Sequence, residues 1–539
     1  MYSKSLNRLR NTNSKAFILI FLITFSVFVF TSDGHRYTFD EAIAQDQSIR
    51  IATLQPHPNY VQGESRLFFE YPSLYPPAAN QRQFCANAIL CSQASVVHSI
   101  AEAPFLVINE NLHIITNETK KLSPYDFSDQ SYALWRNSLD PNFTFMELFF
   151  GPFFSALSVA VLFLVSRTFF SVKTSIIISF LYAFSTLVWA YSQTSLSSVL
   201  ATFLILLGFL FFRRFQKQFS YKSILLSSII LGLAFLTRLD SILFIIPLFF
   251  YFIYEMFFPN HYSDFVRHGK KFINCLCFMA PLFSMYVIHN FIDFVRTTTV
   301  DTTYIQGMLG SHAVLAPSIP VHLNSFGLLF SPGVGLLIFA PILFTMFLSF
   351  PDFFKRYKLP CILFLSLIGC YLLWWSTTTV WHGLIGWGPR YLLPLVPFLI
   401  LPLGASIEKR TNISFKISLV ILGGFGVFFT LVYLIQDVSW FIWGIMGSRE
   451  GGLYNIGGAS DLWISPLVLW TFEYSQLTHS IIQAFTNLDH DIFLLHVFGV
   501  GLYSVIVSVI IIPLILFLLR FIKNYSKTSK LVNEKRTIP

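Results

Sequence analysis

Apolar and polar positions alternate in long blocks along this chain rather than at the short period of a soluble fold. Ala16 to Ser32 forms the first apolar block, and a polar stretch from Asp33 to Glu147 follows it. Further apolar blocks lie near 148–166, 174–191, 196–212, 223–238, 241–258, 272–290, 330–350, 359–376, 391–407, 414–435 and 494–519. Blocks of about 17–25 apolar residues are long enough to cross the hydrocarbon core of a bilayer as helices. The pattern predicts an all-α membrane protein of about 12 transmembrane helices, with a large loop after the first. No internal repeat is visible.

Composition agrees with this reading. Of 539 residues, 54% are hydrophobic, 12% are charged and 62 are Phe, whereas soluble domains average about 25% charged. The formal charge of +9 is therefore no sign of nucleic-acid binding; what matters is where the cations fall. Lys4, Arg8, Arg10 and Lys15 precede the first block, and no small-residue cleavage site follows it, so it reads as a retained anchor. Basic connections recur at Arg167 and Lys173, 213–222, 267–271, 355–358, 408–410 and the tail. All fall on the side of the N-terminus, as the positive-inside rule requires.

The expected organisation is a cytoplasmic N-terminus (1–15), a first transmembrane helix (16–32), an extracytoplasmic loop (33–147), a multi-span domain (148–519) and a basic cytoplasmic tail (520–539). Outer loops near 291–329, 377–390 and 436–493 emerge on the same face as the first loop. Cys85 and Cys91 share that loop and suit a disulfide in an oxidising compartment; the other Cys residues near the spans read as packing.

The candidate chemistry lies on the outer face. Thr38 and Glu41 have capping-box spacing, which starts a short helix there. Asp40 and Glu41 are then either caps favoured by the helix dipole or, with Asp33, catalytic acids. Arg390 stands at the outer edge of a span where cations are scarce, and its fork suits a phosphate. Trp381, Trp387 and Tyr391 lie in the same segment, as an interfacial aromatic belt or as stacking surfaces for a substrate. Arg238 and Asp240 either pair locally or serve the phosphate. The stretch Phe330 to Gly335 predicts a bent start to its span. His35 with Asp33 or Asp40 would allow a divalent metal, although no metal-binding spacing is present, so the sequence assigns none with certainty. P-loop, dinucleotide-binding and serine-hydrolase signatures are absent.

Five stretches resemble the GT-C superfamily of polytopic glycosyltransferases, near its protein O-mannosyltransferase and aminoarabinose-transferase branch. They are YTFDEAIA, LYAFSTLVWAYSQTSL, LGLAFLTRLDSILFIIP, LLFSPGVGLLIFAP and GWGPRYLLPLVPFL, in that order across 31–400. The resemblance implies a catalytic acid in the first outer loop, at Asp40 with Glu41 beside it, and a phosphate-contacting arginine at Arg390. It departs at Ser198, where similar proteins often carry an acid. The implied donor is a sugar on a polyprenyl phosphate and the acceptor a glycan, lipid or protein, in a multi-pass protein of the cell membrane. A transporter or flippase of lipid-linked sugars is the competing class. Such proteins show repeats and midplane charges, which this chain lacks; a structural scaffold would not explain the ordered motifs.

Overall fold

A computed structural model of the protein describes residues 2–36, 38–54, 94–116, 141–257, 268–297, 321–378, 381–383, 386–436, 441, 466–486 and 490–534. Cys85 and Cys91 lie outside the described residues. Among those residues every regular element is helical. The first eight are α1 (Tyr2–Phe30), α2 (Phe39–Thr53), α3 (Val96–Leu112), α4 (Pro141–Ser166), α5 (Val172–Phe184), α6 (Leu187–Tyr191), α7 (Ser197–Gln218) and α8 (Tyr221–Thr237).

Nine of the described helices are long and apolar enough to cross a membrane. Val172–Phe184, Tyr221–Thr237 and Val321–Phe330 are apolar but shorter, so length and composition support an all-α membrane protein without establishing the count of twelve. The difference has local causes. The block expected near 174–191 divides at Ser185 and Thr186, where Thr186 leaves the helix and its Oγ accepts from Val188 N–H at 3.4 Å. The block near 330–350 breaks after Phe330: Ser331 Oγ accepts from the N–H groups of Gly333 (3.2 Å) and Val334 (3.3 Å) and donates to the Leu469 carbonyl. Pro332 and Pro341 remove donors and disfavour helix at the residues before them.

α4 is among the enclosed helices, with α7 (72% buried) and the Arg390–Lys409 span (83% buried). It is apolar on nearly all sides, and 72% of its spanning window is buried, against 6% for the last helix, Phe493–Glu534. A helix with apolar residues all round finds no solvent face and is enclosed by its neighbours. Against α1 it places Phe153 edge-on to Phe21 and Phe25, with ring centres 5.9 and 6.2 Å away. Gly151 lets the α4 backbone approach the turn after α6. A Cβ there would overlap the carbonyl oxygens of Ser192 and Thr194.

The bundle has two chemically different ends. At one, Asn13 accepts from Arg167 at 3.3 Å, Glu408 pairs with Arg356 at 2.6 Å, and Asp352 holds Lys409 (2.5 Å) and Arg410 (2.7 Å). At the other, Thr31 closes α1 by accepting from the Trp189 indole at 2.9 Å and, through its carbonyl, from Gln193 at 2.6 Å. Short helices α2 and α3 cover this second end. Ile49, Leu106, Phe143 and Met146 form a small core beneath them, and Ser95 Oγ ties the start of α3 to the Leu236 carbonyl at 2.7 Å.

Candidate active site

The cap at the start of α2 decides where its acids point. Thr38 is extended, and its side chain accepts from Glu41 N–H at 3.4 Å. Glu41 returns the bond: its Oε2 accepts from Thr38 N–H at 2.8 Å and Thr38 Oγ–H at 3.2 Å, the reciprocal arrangement of a capping box. Its other oxygen accepts from Ser195 N–H at 3.2 Å. Glu41 is fully buried, and both its oxygens are committed to structure.

Asp40, one residue earlier on the helix, faces outward with its side chain 62% exposed, and its Oδ2 lies 3.2 Å from Arg390 Nη1. Arg390 begins a 3-10 turn (Arg390–Leu395) after a glycine-rich loop. Gly383, at φ +78°, supports it closely: a Cβ on Gly383 would stand 3.0 Å from Arg390 Cγ. Positive φ and close approach together make glycine the residue of least strain there. Tyr391 stacks flat on Trp375, with ring centres 3.9 Å apart, and the Arg390 guanidinium carbon lies 5.2 Å from the Tyr391 ring centre. His382 is buried in the same loop; burial, and then the Arg390 charge, push its pKa down to about 4, so the ring is neutral at physiological pH.

The other expected residues divide. Trp381 and Trp387 are buried, Trp387 between Phe339 and Tyr433 (4.7 Å to each ring centre) and Trp381 near Trp470 (5.9 Å). They shape the loop from within. Arg238 forks onto Asp240 through Nε (3.0 Å) and Nη2 (2.8 Å), so its guanidinium is spent on the local pairing of its own turn. Asp33 is buried beside His35, whose Nε2 lies 2.7 Å from Asp491 and 3.8 Å from Asp33. Ligand atoms of these three residues fall within 4.8 Å of one another. Two carboxylates and one imidazole are a donor set suited to a divalent cation.

Beneath Asp40 lies a polar layer that the sequence did not announce. Glu147, fully buried in α4, accepts from Gln45 and from Ser195 Oγ (2.9 Å). Ser195 thus joins Glu41 through its N–H and Glu147 through its hydroxyl, locking α2 onto α4 and the turn after α6. Further along α2, Ser48 donates to Glu102 at 2.6 Å, and Glu102 meets His98 at 3.1 Å. The one available signal was Glu147 itself, an acid at the mouth of an apolar block.

Residues 146–305 match the family model described as dolichyl-phosphate-mannose-protein mannosyltransferase. No curated protein matches the chain. The matched span holds two of the five motifs, LYAFSTLVWAYSQTSL and LGLAFLTRLDSILFIIP, and supports the GT-C resemblance there. With the apolar helices, it also supports a multi-pass membrane glycosyltransferase that draws on a polyprenyl-phosphate sugar donor.

Proposed function

We propose that this protein transfers a sugar from a polyprenyl phosphate to an acceptor hydroxyl at the extracytoplasmic surface of the cell membrane, with inversion at the anomeric carbon. The observation that carries the reading is the meeting of Asp40 and Arg390, 3.2 Å apart at one end of the bundle, although 350 positions separate them in the chain. The N- and C-termini, with the basic connections, lie on the cytoplasmic side in this reading.

In the reaction the bond between the anomeric carbon and the phosphate oxygen breaks, and negative charge grows on that oxygen. Arg390 stabilises it as a fixed cation. The acceptor hydroxyl attacks from the opposite face and loses its proton to Asp40, a base contribution of about 10²–10⁴-fold. One displacement inverts the centre. Glu41 and Asp33 support this geometry from buried positions. A divalent cation held by Asp33, His35 and Asp491 would add positive charge next to the α2 cap. Dolichyl-phosphate-mannose, named by the matching family, makes a mannosyl donor and a protein acceptor the first pair to test.

The experiment is release of polyprenyl phosphate from a labelled lipid-linked sugar by the purified protein. Asp40→Asn is expected to lower turnover by at least about 10²-fold with expression and membrane insertion unchanged; near-normal turnover ends the assignment. Arg390→Ala should weaken use of the donor. Sugar translocation without release of polyprenyl phosphate would establish a transporter instead.

A further inference from the structure

Two buried hydrogen-bond donors beside the Asp40–Arg390 pair have no partner among the described residues: the Arg390 Nε–H and the hydroxyl of Tyr191, a residue 2% exposed. Buried polar atoms are nearly always satisfied, so two orphans in one place call for a ligand. Gly386 relates them. A Cβ built on that glycine would stand 2.6 Å from the Tyr191 hydroxyl and 3.6 Å from Arg390 Cβ. The glycine backbone thus packs close to the phenol, and no side chain from it covers the hydroxyl.

The chemistry of that space is one-signed. A phenol with an ordinary pKa of about 10 keeps its proton at neutral pH, and a guanidinium has donors only. Two donors and a positive charge recognise an oxyanion. The arginine's Nε–H is left over from its contacts with Asp40 and Tyr391. Asp40 is bound through Nη1, so an anion on the Nε edge does not have to displace the carboxylate.

We propose that Tyr191 is a phosphate-binding residue whose hydroxyl donates to a non-bridging oxygen of the donor's phosphate next to Arg390 Nε–H. This rests on the reading of Arg390 as the phosphate holder. It places leaving group and base on two edges of one guanidinium, a fixed relation that would position the anomeric carbon between them. The α6 turn is braced on both sides of Tyr191, because Trp189 and Gln193 both bond to Thr31 at the end of α1.

The test compares binding of a short-chain polyprenyl phosphate and of the matching polyprenol to purified protein in detergent. Tyr191→Phe removes one oxygen and should weaken the phosphate about tenfold, as expected for a hydrogen bond to a charged group, while polyprenol affinity stays the same. Gly386→Ala sets a methyl against the Tyr191 hydroxyl at a φ of +155° that strains alanine; where it keeps the parent's polyprenol affinity and unfolding temperature it should weaken the phosphate in the same selective way, and it then carries the test if Tyr191→Phe fails to fold. Unchanged phosphate affinity in a folded variant, or equal loss for phosphate and alcohol, overturns the proposal. Arg390→Ala separates the two claims. If it loses the phosphate while Tyr191→Phe does not, only the tyrosine assignment falls; if it retains the phosphate, the reading of Arg390 falls as well.

Discussion

Asp40 and Glu41 carry the same functional group one residue apart, and the Thr38 cap gives them different environments. Glu41 turns inward and spends both oxygens on Thr38 and Ser195; Asp40 stays outside, next to Arg390. Half of this was legible in the chain, because the cap is local and its spacing is visible. The other half was not, because the Ser195 amide lies 154 positions away. The tryptophans show the same limit. Trp381 and Trp387 have the composition of an exposed belt, yet they are buried by Trp470, Phe339 and Tyr433 from distant helices. His382 gives a pH prediction at this scale. Its folded pKa of about 4 lies below the ordinary 6.5. As pH falls below 6.5 the unfolded chain takes up a proton that the folded one refuses until about 4. Stability present above pH 6.5 is therefore lost across that window, by up to about 3 kcal/mol. Thermal unfolding between pH 7 and 4 should show this fall, and His382→Gln should flatten it.

At the scale of elements, nine of the apolar blocks coincide with described helices long and apolar enough to cross a membrane, because a helix in lipid must satisfy its backbone internally and cover itself with apolar side chains. The interruptions were harder to read. The Ser331–Gly335 bend was visible through its proline and glycines, whereas the break at Ser185 and Thr186 has neither residue. The approach of α4 to the α6 turn was invisible, since Gly151 reads as one more small residue in an apolar block. Gly151→Ala should show its importance. The added methyl meets the carbonyls of Ser192 and Thr194, which belong to the backbone and do not rotate away. The expected cost is about 1–3 kcal/mol, seen as a lowered unfolding temperature, with turnover reduced because the Tyr191–Ser195 turn is displaced.

At the scale of the whole molecule, the first and last helices close the bundle on each other. Tyr503 donates to the Phe30 carbonyl at 2.7 Å, Phe493 N–H bonds Ser32 at 3.0 Å, and Asp491 meets His35 at 2.7 Å. None of these pairs was foreseen, since the last hundred residues carry no motif. Removing one partner of a buried hydrogen bond leaves the other polar group unsatisfied, at a cost of about 1–3 kcal/mol. Asp491→Ala is thus expected to lower stability by that order in detergent, whereas Asp352→Ala at the opposite end should leave turnover of the folded fraction unchanged.

This closure has a consequence for biosynthesis. The stretch that leads into the acid-bearing helix leaves the ribosome early, while its partner Asp491 follows 456 positions later. A chain halted anywhere before that point holds the Asp33–His35 segment without its clasp. Docking of the final helix onto the end of the first would therefore be among the last contacts to form as the protein assembles in the membrane.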